Sequence, residues 1–266
     1  MRYLLVVAGL LVFIAGLQLF VFSEQTARFF AWTIDPPLTA AFLGAGYWAS
    51  VGLEWLAARE AVWARARIAV PAVFTFTTLT LIATLLHLDR FHLGDPRLVT
   101  EAATWGWIAI YVAVPPAMAV LWGLQLLAPG GDGPRAAPVP AGLRVVLVLQ
   151  ATLFLAVGAL LFVAPERTAS LWPWLLTPLT ARAVAAWLLG IGVAAVHVLR
   201  ENDVVRARPA FWAYVALGIL QLVALARFPD DVEWDSPSAW VYVVAVASML
   251  LTGAMALRAR TPPRSH

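Results

Sequence analysis

Eight apolar runs of about twenty residues, each closed by a small cluster of charge, leave this chain one way to fold. The runs cover about 3–22, 38–58, 68–88, 103–127, 143–163, 179–199, 209–226 and 239–257. An α-helix of roughly 20 residues crosses the ~30 Å hydrocarbon layer of a bilayer. No water reaches that layer to satisfy a free backbone, so the runs must be helical. Only 12% of the residues are charged, half the ~25% of a soluble domain. The expected fold is therefore all-α: a polytopic integral membrane protein with eight transmembrane helices. The first run follows Met1-Arg2 but is longer than the ~7–15 residues of a signal-peptide core, and no small-x-small cleavage site follows it. It is assigned to the mature protein.

The charged clusters repeat. Arg59-Glu60-Ala61-Val62-Trp63-Ala64-Arg65-Ala66-Arg67 returns 141 residues later as Arg200-Glu201-Asn202-Asp203-Val204-Val205-Arg206-Ala207-Arg208. Pro37-Leu38-Thr39-Ala40 matches Pro178-Leu179-Thr180-Ala181 at the same offset. Ser23-Glu24-Gln25-Thr26-Ala27 parallels Pro165-Glu166-Arg167-Thr168-Ala169, and Arg90-Phe91 parallels Arg227-Phe228. The offset drifts where loops accept insertions. This order predicts two four-helix repeats, 1–128 and 143–258, joined by a Gly/Pro-rich linker at 129–142 that reads as flexible, with a basic tail at 259–266. Four spans per copy return the chain to its starting side, so the repeats are parallel and related by an axis along the membrane normal.

Arginine gives the orientation. Twelve arginines (Arg2, the six of the repeated clusters, Arg135, Arg144, Arg258, Arg260 and Arg264) fall on one side, and six (Arg28, Arg90, Arg97, Arg167, Arg182 and Arg227) on the other. The positive-inside rule places both termini, the linker and both clusters in the cytoplasm. Trp32, Trp105, Trp107, Trp172, Trp174 and Trp240 then lie at outer span ends, and Trp55, Trp63, Trp122 and Trp212 toward inner ones, as interfacial anchors do.

Few residues offer chemistry. The chain has no cysteine, which excludes disulfides and thiolate sites. No basic stripe points to nucleic acid. No nucleotide-binding loop, HExxH pair or GxSxG elbow is present, so no cofactor is expected. Glu54 is the one carboxylate well inside a span, and intramembrane ionisable groups are functional candidates. Arg59, Arg200 or His197 could pair with it. Thr77, Thr80, Thr84 and His87 share one helix face, a pattern that usually marks helix contact. That stripe ends in His87, Asp89, His92 and Asp95, nitrogen and oxygen donors with no established metal spacing, and no metal site is assigned. Arg59, Arg65, Arg67, Arg200, Arg206 and Arg208 could contact anionic lipid or a phosphate-bearing ligand, although topology alone explains them. Arg182 is placed to snorkel to the interface. Pro115-Pro116 should kink the fourth span, and Gly44-x-Gly46 and Gly190-x-Gly192 permit close helix approach.

Leu161-Phe162-Val163-Ala164-Pro165-Glu166 after a first span, and Arg182-Ala183-Val184-Ala185-Ala186-Trp187-Leu188-Leu189-Gly190 in the next, resemble the small four-helix DoxX-like membrane proteins. In the first half Ser23 stands in place of the proline. The resemblance implies a fold, a tandem duplication of that unit, and no reaction. Two function classes stay open. One is a non-enzymatic membrane component, permease-like or binding lipid, a membrane-protein partner or a second copy. The other is a membrane oxidoreductase or metal-dependent enzyme with its site at the outer end of the third helix. Proton-coupled or redox chemistry usually needs several intramembrane ionisable groups, and Glu54 stands alone. That favours the first.

Overall fold

The computed structural model describes residues 2–60 and 62–259. Ala61, Arg260, Arg264 and most of the basic tail lie outside the described residues. Every long element among them is a helix. These are α1 (Arg2–Gly16), α2 (Pro37–Arg59), α3 (Val70–Leu86), α4 (Leu98–Leu127), α5 (Ala141–Val163), α6 (Pro178–Glu201), α7 (Val204–Arg227) and α8 (Pro237–Arg258). Short turns at Trp63–Ala66 and Arg67–Ala69 extend α3 into one span, Trp63–Leu86.

Six spans, those of α3 to α8, are long and apolar enough to cross a membrane. Two of the eight expected runs depart from that standard, each for a visible reason. α2 has 23 residues but carries Gly44, Gly46, Tyr47, Ser50, Gly52 and Glu54, so its apolarity is diluted. The first run is not one straight span: α1 passes through a π-helical turn at Leu17–Val21 and then bends by 89° into the segment Ser23–Phe29. α4, by contrast, continues without interruption through Pro115 and Pro116.

Local chemistry sets the helix ends. Proline occupies the first turn of α2, α6 and α8, where its missing N–H costs nothing. Thr177 and Thr180 form a reciprocal cap at the start of α6. Asp203 caps α7 by accepting from the amides of Val205 and Arg206, 2.8 and 3.3 Å away. Asn202 takes the left-handed conformation (φ 43°) that ends α6, a position where asparagine is tolerated. The N-terminus of α2 receives its acceptor from far along the chain: the Leu38 amide donates to Asp231 Oδ2 at 3.0 Å.

The packing follows a regular order. α1 lies along α2, and α5 along α6; α3 pairs with α4, and α7 with α8. The strongest associations between the chain's two halves are α2 with α7 and α3 with α6. The four helices α2, α3, α6 and α7 thus form the centre, and the other four flank them. The flanking helices turn Leu10, Val112, Val148 and Val244 outward, an apolar exterior that a water-soluble monomer does not present on this scale.

Two expectations about the ends of the bundle change. The 129–142 linker is held at several points. Ala137 and Val139 are buried, the Ala136 amide donates to Asp203 Oδ2 at 2.7 Å, and the Val139 amide donates to Asn202 Oδ1 at 3.2 Å. Nor are all tryptophans interfacial. Trp105 and Trp240 are exposed, whereas Trp32, Trp107, Trp172 and Trp174 are buried in aromatic clusters. Trp107 Nε1 donates to Thr84 Oγ1 at 3.0 Å and Trp174 Nε1 to Thr39 Oγ1 at 2.9 Å. An indole whose N–H has an internal acceptor has no need of the headgroup region.

Candidate functional site

Where α2 meets α3, α6 and α7, a cavity of about 110 Å³ opens, with α1 and α4 completing its wall. It is chiefly apolar, and its polar side chains are Glu54, Ser50, Thr77, Tyr111 and Tyr214. Most are satisfied locally. Ser50 Oγ donates to the Tyr47 carbonyl at 2.8 Å, Thr77 Oγ1 to the Val73 carbonyl at 2.8 Å, and the Tyr47 and Tyr111 hydroxyls lie 2.6 Å apart. Two are not. Glu54 Oε2 and the Tyr214 hydroxyl are buried with no hydrogen-bond partner among the described residues. Glu54 is 2% exposed and Tyr214 5%. Burying a polar group without a partner costs on the order of 1–3 kcal/mol, and more for a charge. Two such groups in one cavity need a reason.

None of the expected partners of Glu54 reaches it. Arg59 lies five residues on, about 7.5 Å along the helix, with its guanidinium 5.1 Å from the centre of the Trp55 ring. Arg200 is exposed. His197 faces Glu201 instead, at 3.8 Å. Gly9 of α1 faces the carboxyl, and a Cβ there would stand 3.9 Å from Oε2.

A second cavity, about 200 Å³, lies between α5, α6, α7 and α8 toward the acidic end of the bundle. Among its polar groups Gln221 is engaged on both sides, donating to the Phe42 carbonyl at 3.1 Å and accepting from the Tyr242 hydroxyl at 2.8 Å, while the Trp172 indole N–H has no partner among the described residues. Trp187, Gly46, Ile191 and Leu217 line both cavities. The Trp187 indole therefore forms a wall between them. It packs against Phe76 at a tilt of 34° with ring centres 4.1 Å apart and meets Tyr47 edge-on at 5.2 Å. Gly46 makes room for it: a Cβ at that position would lie 2.8–3.0 Å from three indole carbons.

The outer segment after α3 does not assemble. His87 accepts from Arg182 Nη1 at 2.6 Å, and burial followed by the facing Arg182 charge lowers its pKa. His92 uses both ring nitrogens, at 3.0 Å from the Thr33 hydroxyl and 3.0 Å from the Phe30 carbonyl. Asp89 pairs with Arg90 at 3.1 Å, and Asp95 with Arg97 at 2.8 Å. Among the described residues no three His, Asp or Glu side chains are grouped to hold a metal. Arg182 is held at the ends of two neighbouring helices, its Nε donating to the Phe162 carbonyl at 3.1 Å and its Nη1 to His87. Arg227 does the same for the Phe20 carbonyl, so an arginine satisfies a late carbonyl of both α5 and the extended α1. In the threonine stripe Thr84 bonds back to the Thr80 carbonyl at 2.8 Å while accepting from Trp107, the helix-contact role expected of it.

The six cluster arginines divide. Glu201 joins Arg67 and Arg206, accepting from Arg67 Nε at 2.8 Å and from Arg206 Nη1 at 2.9 Å. Asp132 adds a further bond to Arg67 at 3.1 Å. Carboxylates thus occupy Arg67 and Arg206, and Glu60 stands by Arg65, which leaves Arg59, Arg200 and Arg208 as the members open to an external anion. Glu60 and Arg65 form the same five-residue pairing as Glu201 and Arg206, at 3.6 Å and much more exposed.

Tyr214 and Trp187 were not singled out from sequence. A mid-span tyrosine, far from the interface where its hydroxyl is normally wet, was the available signal for Tyr214. For Trp187 it was the alignment of the two copies, which sets Trp187 against Gly46 at the offset of 141. No protein-family model matches the chain, and no curated protein or solved structure is similar to it.

Proposed function

We propose that this chain is a membrane-embedded binding protein, permease-like and non-enzymatic, whose site is the Glu54 cavity between its two halves. The observation that carries this reading is the pair of unpartnered polar groups, Glu54 and Tyr214, lining an apolar cavity built by both halves. Unpartnered burial is costliest for a carboxyl, and a ligand that completes both groups in one cavity would recover that cost.

The architecture we infer with it is eight spans in two parallel DoxX-like repeats, both termini in the cytoplasm of a cell membrane. The pairing of α1 with α2 and α3 with α4, echoed by α5 with α6 and α7 with α8, supports it. So does the reciprocal pairing across the halves, α2 on α7 and α3 on α6. Arg59, Arg200 and Arg208 would then face lipid headgroups on the cytoplasmic side.

Native mass spectrometry of the chain purified in mild detergent tests the binding reading. A small apolar molecule should accompany the wild type and be absent from Ala213→Phe, which puts a ring into the cavity and keeps Glu54 itself unchanged. Equal spectra for the two would refute it. Single cysteines at Asp132 and Asp230 test the topology, and labelling of both from one side would overturn the eight-span arrangement.

A further inference from the structure

We propose that the ligand of the Glu54 cavity is a small apolar amine in its ammonium form. This rests on the binding reading above and narrows it to a chemical class. Size comes first. A cavity of about 110 Å³ is of the order of the ~150 Å³ engineered cavity that accepts benzene, so the occupant has roughly a single ring or an equivalent branched chain. Wall chemistry comes second: Leu53, Val73, Phe76 and Ile191 exclude a molecule with several polar groups.

The polar groups then choose the head. Glu54 offers oxygens and no competing cation, and Tyr214 offers a hydroxyl that can accept. An ammonium carries three donors and no acceptor, the complement of that set, and its bonds to a carboxylate are charge-assisted. Trp187, Phe76 and Tyr111 bring aromatic surface to the same cavity, a setting in which a cation is better received than an anion. An anion would meet the carboxylate and the ring faces unfavourably. A hydrocarbon would leave both polar groups unpaired. An alcohol would satisfy one hydrogen bond without the charge. The second copy has Ala195 at the position of Glu54, so one site per chain is expected.

Isosteric probes test this on the full chain in detergent at pH 7: benzylamine, benzyl alcohol and toluene, with affinities from calorimetric titration. Benzylamine should bind about tenfold or more tighter than benzyl alcohol, the ratio expected of one charge-assisted bond. Glu54→Gln should abolish that preference while leaving toluene affinity unchanged, which also shows that the variant is folded with its cavity intact. Tyr214→Phe should weaken benzylamine less than Glu54→Gln does. Benzylamine binding no tighter than the alcohol, or a preference that survives Glu54→Gln, would overturn the amine assignment while the binding reading stands. Failure of all three probes to bind would overturn both.

Discussion

Replacing Gly46 with alanine should destabilise the bundle, and the same change should become harmless once Trp187 is shortened. The added Cβ would sit 2.8, 2.9 and 3.0 Å from indole carbons Cε2, Cδ2 and Cζ2, against an optimum near 3.5–4.0 Å for carbon pairs. The indole would have to retreat by roughly 0.7 Å, but Phe76 stands behind it with ring centres 4.1 Å apart and Tyr47 blocks its edge. Overpacking of this kind costs about 1–3 kcal/mol, and a clash with three atoms of a confined ring belongs near the top. Alanine in a helix interior returns up to about 1 kcal/mol over glycine, so a net loss of about 2 kcal/mol is expected. Gly52 isolates that return: it lies on the same helix with nothing within 4 Å of its would-be Cβ, so Gly52→Ala should be neutral or stabilising. Trp187→Leu alone should cost about 2–4 kcal/mol through lost burial and the joined cavities. In the Trp187→Leu background, Gly46→Ala should be neutral to slightly stabilising, a coupling of about 2–3 kcal/mol. Unfolding midpoints in mixed micelles titrated with SDS, followed by far-ultraviolet circular dichroism, would measure the four variants against the wild type. Equal costs of Gly46→Ala in the two backgrounds would refute the contact.

The repeated Glu–Arg pair gives an internal comparison. Glu201→Gln weakens the closest bond of buried Arg206, which keeps Asp132 and Asp203 at 3.6 Å, and should cost about 1.5–3 kcal/mol, whereas Glu60→Gln at the exposed copy should cost under about 1 kcal/mol; similar losses in the SDS titration would contradict the difference in burial. His87 predicts a pH dependence. Its pKa is lowered in the fold from about 6.5, so the folded protein binds that proton less readily than the unfolded chain. The contribution is complete above about pH 7 and declines as the pH falls through 6.5. His87→Gln, which keeps an acceptor for Arg182, should flatten the stability profile between pH 7 and 5, and an unchanged slope would exclude His87 as its source. Asp231→Ala removes the side-chain cap on α2 and should lower stability by about 1 kcal/mol, while Asp230→Ala, which leaves that cap in place, should change it little.

Helix positions were legible because apolar length and charged punctuation are local properties. The sequence places α2 at 38–58 and the structure at Pro37–Arg59. The bend after Val21 was not legible, because it depends on contacts between distant residues: the Phe20 carbonyl is met by Arg227, and Gly44 lets α2 approach until a Cβ there would lie 2.8 Å from the Leu19 carbonyl carbon. Glu54 was found from sequence because a lone carboxylate in an apolar run stands out without any knowledge of its neighbours. Its company was not found, since Tyr214 lies 160 residues away along the chain and only the packing of α2 on α7 brings the two to one cavity. The linker misled for a related reason. Glycine and proline signal an irregular backbone, and irregular is not the same as loose: Asp203 and Asn202 hold it by hydrogen bonds that composition does not announce.

On the two-repeat reading, Gly46 and Trp187 are the same position in the two copies, and they touch. Equivalent residues meet where a twofold axis passes. Two identical units could not build this contact, since a pair of tryptophans would collide and a pair of glycines would leave a void. Covalent duplication removes the requirement of identity, and each copy can supply half of a complementary pair. The same argument applies about two turns along the helix, where Glu54 has Ala195 as its counterpart. A symmetric pair would bring a second carboxylate into the central bundle, with no cation among its cavity-lining residues to offset either one. A single carboxylate leaves a single vacancy for a positive charge. The anchored linker belongs to this logic as well. Asp132 on it and Glu201 at the end of α6 both bond Arg67, so the join ties the end of α6 to the turn that leads into α3, two of the helices that wall the Glu54 cavity.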